Sequence, residues 1–258
     1  MSYTIEEKNL ERQHLLAEYL NPLTLNALEN ISLQKGAKIL DLGCGIGETT
    51  LMLSNRFPQA HITGLDEDEA LIEVAKSRKY EKASSIQFVT GNALQMQFAD
   101  NSFNFVFTRA LLHHIPASIT VLQEMKRVCV IGAIVFAQEP DMNFRQTYPE
   151  NWAYPKLVEF ANKLCADACI GRKLVHYFRS LQFQKIANSA QVVLSDGSSN
   201  LKKFFTLTAE AMGEALLRNK LTDEKQFVEL INECRRIEHD EDAVVLTSPI
   251  IAVWGTKV

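Results

Sequence analysis

The run Lys38-Ile39-Leu40-Asp41-Leu42-Gly43-Cys44-Gly45-Ile46-Gly47-Glu48 reads as a short apolar strand that ends on an acid and then turns through alternate glycines. Residues without Cβ let the backbone turn sharply and let a ligand lie against the main chain, so the pattern suits a nucleotide-like ligand. A dinucleotide fingerprint would place its third glycine where the chain has Glu48, and a carboxylate there opposes a pyrophosphate. No Gly-Lys-Ser/Thr follows, which excludes a Walker loop. Asp66 ends the next apolar run, and the turn Gly91-Asn92-Ala93 follows the one after. Acids thus stand where a phosphate site needs cations, and the ligand is expected to be held without phosphates.

These residues need a sheet to bring them together. Ile39–Leu42, His61–Leu65, Ile86–Thr90, Phe103–Thr108 and Ala133–Gln138 read as strands, and Thr49–Phe57, Glu69–Tyr80 and Ile119–Val128 as helices. Strands alternating with helices imply a parallel sheet covered on both faces, with the polar turns at adjacent carboxyl ends of strands. Before this core, leucines at helical spacing on either side of Pro22 predict two helices meeting at Asn21-Pro22. After Pro140 the pattern predicts an irregular loop over Asp141–Asn151 and helices over Pro155–Ala168 and Arg172–Leu181. A strand over Ala190–Leu194 is closed by the turn Ser195-Asp196-Gly197-Ser198. A helical pair follows over Leu201–Asn219 and Asp223–Ile237, the second capped by Thr222, then a last strand over Ile250–Trp254.

With 258 residues, 47% apolar and 22% charged, the chain is long enough for one large α/β domain and is not of disordered composition. A net charge of −4 without basic clusters disfavours nucleic acid as a partner. The first residues lack a signal-peptide core and no window resembles a membrane span, so a cytoplasmic protein without a stable membrane anchor is expected. The cysteines are odd in number and none forms a C-x-x-C pair; Cys165 and Cys169, four apart with no histidine beside them in sequence, read as buried apolar residues, and no metal is expected.

Taken together, Asp41-x-Gly43-x-Gly45-x-Gly47, Asp66 and Gly91-Asn92-Ala93 resemble the class I S-adenosylmethionine-dependent methyltransferases. Phe98-Ala99-Asp100-Asn101-Ser102-Phe103, Leu111-Leu112-His113-His114-Ile115 and Leu122-Gln123-Glu124-Met125-Lys126-Arg127-Val128 are similar to the small-molecule (type 11/25-like) subgroup. The resemblance is dense from Gly36 to Pro140. It implies an α/β, Rossmann-like, doubly wound fold: a mainly parallel seven-stranded sheet with helices on both faces and a helical cap. It also implies a single domain over 1–258, with N-terminal helices in 1–35, a cofactor-binding core in 36–140, and sheet completion with a lid near 200–240 in 141–258. The family usually has Lys-Pro-Gly-Gly before strand five, where this chain has Val130-Ile131-Gly132-Ala133, and Gly132 can supply that turn.

Adenosylmethionine carries an ammonium, a sulfonium and a ribose diol but no phosphate, which suits a pocket lined by acids. Asp41 can accept from the amino group, and the backbone at Gly43, Cys44 and Gly45 can approach the methionyl and ribose parts. Asp66 suits the ribose hydroxyls, Glu67 the flank of the adenine, and Asn92 and Ala93 the adenine edge. Asp41 and Asp66 could instead cap the following helices, and Asn92 could simply be a turn residue. The resemblance puts Arg109 at the methionyl end or the acceptor. His113 or His114 could take a proton from an acceptor, although packing explains a histidine equally well. Glu139, in Gln138-Glu139-Pro140-Asp141, is a further candidate for the acceptor wall. Aromatic residues Phe144, Tyr148, Trp152, Tyr154, Phe204 and Phe205 could line an apolar pocket or a core. Two readings follow: methyl transfer to an unidentified small molecule, leaving adenosylhomocysteine, or a non-catalytic cofactor-binding regulatory module. A monomer and a homodimer both remain open.

Overall fold

Strand residues that alternate between two apolar faces require cover on both sides of the sheet, and this requirement organises the chain. The computed structural model describes residues 5–78, 85–197 and 200–258. Helix α1 (Ile5–Ala27) leads into β1 (Lys38–Leu42), α2 (Glu48–Arg56), β2 (His61–Asp66), α3 (Glu69–Ser77), β3 (Ile86–Thr90) and β4 (Phe103–Arg109). A single 3-10 turn, Leu112–His114, precedes α4 (Ser118–Val128) and β5 (Cys129–Pro140). The second half holds β6 (Gln146–Tyr148), α5 (Ala153–Leu164), α6 (Ile170–Ser180), β7 (Gln184–Gln191) and β8 (Leu194–Ser195). It closes with α7 (Leu201–Arg218), α8 (Glu224–His239), β9 (Val244–Leu246) and β10 (Ile250–Thr256).

Seven strands form one sheet in the order β3-β2-β1-β4-β5-β10-β7. The first five pair in parallel and β10 runs antiparallel to both neighbours. Winding reverses between β1 and β4, which opens a crevice at the carboxyl ends of these strands. On one face Leu40, Leu42, Val106 and Val135 meet α4 and α6 through Val121, Met125, Leu174 and Phe178. On the other, Ile39, Phe105, Phe107 and Phe136 meet the end of α1 and α2 through Leu28, Met52 and Leu53. A separate apolar cluster joins α5, α7, α8 and Val245 to the first half of α1 through Leu15, Leu16 and Tyr19. Lys8 and Glu210 at 2.6 Å, together with the Glu11–Lys203 pair, fasten α1 to α7.

Several expectations are corrected. Residues 5–27 form one helix through Pro22, not two. The missing N–H costs about 3 kcal/mol in an isolated helix, but Leu20, Thr24 and Leu28 are buried on either side and hold the helix straight through. The stretch predicted as an irregular loop contains β6, which pairs with β9, and β9 pairs with β8; this three-stranded sheet was not legible in the sequence. Strand β7 begins at Gln184, well before the predicted Ala190. Helix α8 is capped by Asp223, which accepts from the Gln226 N–H at 2.8 Å, and not by Thr222. Helix α3 ends at Ser77, with Arg78 already extended, short of the predicted Tyr80; residues 79 and 80, like Ser198 of the predicted turn, lie outside the described residues. Gly132, at φ 84°, supplies the turn within β5 as expected. No described helix is long and apolar enough to cross a membrane.

Candidate active site

Gly43, Gly45 and Gly47 have φ of 76°, 52° and 85°, the left-handed region that favours glycine. A Cβ on Gly43 would come within 3.0 Å of Leu111. The N–H groups of this loop are already spent: Gly43 and Cys44 both donate to the Leu65 carbonyl at 2.8 and 3.1 Å, and Gly45 donates to Asp66 Oδ2 at 2.8 Å. These three N–H groups are thus paired within the protein, and what the loop presents there is bare glycine surface. Glu48, which follows, is paired with Arg78 at 2.8 Å and His14 at 2.6 Å.

Asp41 is 1% exposed at the end of β1. Its Oδ2 accepts from the Thr49 and Thr50 hydroxyls at 2.7 and 2.6 Å, while Oδ1 is buried without a partner. Burial raises its pKa to about 6, against the pull of the two threonines and Arg109. A carboxylate left half-satisfied inside the protein is a site for a cation. Asp66 accepts from the Gly45 and Asp68 N–H groups, and Asp68 is the residue that caps α3, so capping does not account for Asp66. Asp66, Glu67, Gly91, Asn92, Ala93 and Leu111 line a cleft of about 470 Å³ at the strand ends. Asn92 Oδ1 accepts from the Leu94 N–H at 2.7 Å, fixing the turn, which leaves the side-chain amide nitrogen as its more available group. The Cys44 side chain is turned away from this cleft and packs against Gly64.

Two candidates are placed differently from expectation. Arg109 lines neither cavity: it is buried and donates to Asn21 Oδ1 at 2.8 Å and Thr24 Oγ1 at 3.0 Å, tying β4 to α1. Burial lowers its pKa to about 10, opposed by Asp41 and Glu48. Glu139 is wholly buried and is not a cavity wall. Its Oε1 accepts from the Leu111 and Leu112 N–H groups at 2.8 and 2.7 Å, and its Oε2 meets His113 Nδ1 at 2.7 Å. It therefore holds the loop after β4 and leaves His113 Nε2 as the outward nitrogen.

A second cavity, of about 350 Å³, lies beyond this loop and is walled by α1, α5 and α7. His113 and His114 both line it, with ring centroids 3.9 Å apart, and His114 also lines the glycine-loop cleft, so this residue marks where the two meet. The pKa of His114 is lowered to about 4, first by removal from bulk water and then by His113, with Glu139 opposing. Its ring is reachable from both sides, so solvent moderates the shift. The rest of the wall includes Leu16, Leu157, Phe204 and Phe205. Of the other aromatic candidates, Tyr154 is wholly buried in the core, Tyr148 and Trp152 are largely exposed, and Phe144 is partly exposed; none of the four lines the cavity. The predicted helical pair is only half a wall, since α7 lines the cavity and α8 packs behind it.

The sequence reading missed Arg12, Tyr19, Arg145 and Cys165, all on this wall. Cys165 does have histidine neighbours: His113, His114 and Cys165 bring ligand atoms within 4.8 Å of one another. These three come from β4's following loop and the end of α5, so no spacing in the chain announces the cluster. Such a set suits a soft divalent ion with a position open to the cavity.

A family model described as "Methyltransferase domain" matches residues 33–190. Over 129 residues the chain is 33% identical to the demethylmenaquinone methyltransferase of Geobacillus stearothermophilus, a match covering 48% of this chain and 55% of that protein. The chain thus spans about half the length of the curated relatives it matches. Among solved structures, the YcgJ protein of Bacillus subtilis has a TM-score of 0.61 at 17% identity, covering 93% of this chain and 98% of that one. The phosphoethanolamine N-methyltransferase 2 of Haemonchus contortus, in complex with S-adenosyl-L-methionine, has a TM-score of 0.58 at 15% identity, covering 95% and 57%.

Proposed function

Because the chain belongs to the methyltransferase domain family, we propose that it transfers a methyl group from S-adenosylmethionine to a small molecule held in the cavity behind His114. The observation that carries this reading is the meeting of two different cavities at one residue. One is walled by glycine and acids, the other mainly by apolar side chains, and His114 stands in both.

The residues present fit the cofactor. The unpartnered Oδ1 of Asp41 is a seat for the ammonium, the surface at Gly43 and Gly45 lets the methionyl part approach, and Asp66 retains lone pairs for the ribose hydroxyls. Glu67, Asn92 and Ala93 wall the adenine end. When bound, the cofactor supplies a methyl group on a sulfonium, which a nucleophile displaces in line. This chain's own part is largely alignment, worth several kcal/mol of barrier when the acceptor is held in an attacking pose. Glu139 positions His113, and neutral His114 can accept a proton from an acceptor oxygen or nitrogen at the junction.

Matched residues 33–190 exclude α1 and α7, which supply much of the acceptor wall, so the relatives' acceptors do not carry over with the fold. The non-catalytic alternative is not favoured, because a second, mainly apolar cavity that shares His114 with the cofactor cleft has no use in a module that only binds cofactor. Incubation with methyl-labelled S-adenosylmethionine and a fractionated metabolite extract tests the proposal. Label appearing in a small molecule supports it. Absence of label from every fraction, with cofactor binding intact, removes it in favour of the binding module.

A further inference from the structure

The acceptor cavity contains a cation that no acid among the described residues pairs with. Arg145, in the loop before β6, lines the cavity with its guanidinium carbon 4.1 Å above the Phe205 ring. Its Nε is buried without a hydrogen-bond partner, and among the described residues it makes no ion pair. The groups acting on its charge are Tyr154, Tyr19 and Cys234. Burial raises the pKa of both tyrosines and pushes Cys234 up to about 12, so all three are neutral near pH 7. Arg12, the other arginine on the wall, donates among the described residues to Asn9 Oδ1 alone, at 3.3 and 3.1 Å. Among the described residues no aspartate or glutamate lines the cavity.

Arginine so placed is costly. Arg145 is half-buried with its Nε fully so, and a charge held there without a partner costs stability that an apolar residue of similar volume would not. A guanidinium held over an aromatic ring can still present an N–H edge to an oxyanion, and a carboxylate matches that edge bidentately. Among the described residues neither a lysine nor a glycine loop accompanies Arg145 on this wall, which favours a carboxylate over a phosphate dianion.

We infer that the methyl acceptor is an organic acid, a mainly apolar molecule whose single carboxylate docks on Arg145 while its reacting end lies toward His114. This rests on the methyl-transfer reading of the cavity and deepens it by naming the acceptor's class. Arg145 is on this view a specificity residue, set away from the reacting atoms.

Binding of 3-phenylpropionate and octanoate, each compared with its own amide, tests the inference by calorimetry and thermal shift. Wild type, Arg145→Met and Arg145→Lys are compared without cofactor. Wild type is expected to bind the acids at least about tenfold more tightly than the amides, the worth of a charge-assisted bond. R145M should erase that preference and, without ligand, melt at or above the wild-type temperature, because a lone buried charge has been removed. R145K should retain part of the preference, since it keeps the charge and loses the fork. The inference is overturned if acids and amides bind wild type alike, if none of them binds, or if R145M keeps the preference, which would move it to Arg12. Should R145M fail to fold, full retention of the preference by R145K overturns the bidentate assignment. A protein that binds the acids but fails a separate titration with S-adenosylmethionine loses the methyl-transfer reading and keeps only the carboxylate seat at Arg145.

Discussion

Replacing Glu139 is the perturbation whose consequences the geometry constrains most tightly. This carboxylate has no exposure, and its two oxygens accept from the Leu111 and Leu112 N–H groups and from His113. Gln keeps a single acceptor oxygen. If that oxygen stays with the backbone pair, the amide nitrogen faces His113 Nδ1, and two donors meet unless the histidine moves its proton to Nε2. Hydrogen bonds to an ionised group are worth about 1.5–3 kcal/mol and neutral ones about 0.5–1.5. Loss of charge across the set, less the relief of desolvating one fewer ion, leaves Glu139→Gln about 2 kcal/mol less stable. Glu139→Ala strands two backbone donors and His113, at roughly 1–3 kcal/mol each, or about 3–9 kcal/mol in all. That is a large share of the 5–15 kcal/mol typical of a folded domain, so E139A is expected to be largely unfolded or nearly so. Urea unfolding measures the stabilities, and nitrogen-detected NMR of His113 reads the tautomer in E139Q. An E139A midpoint within about 1 kcal/mol of wild type, or an unchanged tautomer in E139Q, would refute the positioning role.

Three further outcomes follow from the same geometry. The Asp41 carboxyl is held at about 6 against 3.8 unperturbed, so its contribution to stability is full below about pH 4 and is lost as pH rises through 6; Asp41→Asn should cancel this part of the pH dependence, about 2–3 kcal/mol by the size of the shift. Cofactor binding, which needs the ionised form, should strengthen over the same window and level off above it, and binding unchanged between pH 5 and 7 would contradict the role of Oδ1. Gly43→Ala forces a Cβ to φ 76° within 3.0 Å of Leu111, at a cost of about 1–2 kcal/mol; calorimetry should find a folded protein with cofactor affinity about tenfold lower, and an unchanged affinity would place the ligand elsewhere. Alignment on a sulfonium needs no Lewis acid, so chelation with EDTA should leave methyl transfer unchanged; a loss restored by zinc would assign His113, His114 and Cys165 to a metal instead.

The parts of this molecule that could be read from sequence are those where local chemistry and topology agree. The run Ile39–Gly47 declares a strand and a glycine turn in contiguous residues, and β1 to β5 follow at short intervals, so the sheet and the crevice were legible, and Asp66, Glu67, Asn92 and Ala93 line the cleft there while Asp41 lies buried behind it. Strands β6, β8 and β9 escaped because each has at most three residues, too few to show a period, and β9 pairs with Gln146 a hundred residues back as well as with the nearer Leu194. Glu139 and Arg109 had the residue types of an acceptor site, but nothing in their neighbours told that one would turn inward to Leu111 and the other toward Asn21. Arg145 was illegible for a different reason: an arginine in a polar loop is ordinary, and only Phe205 beneath it makes this one unusual.

The most direct test of a phosphate-free adenosyl site is isothermal titration of the whole chain with S-adenosylmethionine and S-adenosylhomocysteine above pH 7, where Asp41 is ionised. We expect one saturable site for each ligand, lost or strongly weakened in D41N. A folded protein that gives no binding heat with either ligand, at more than one temperature, would contradict it.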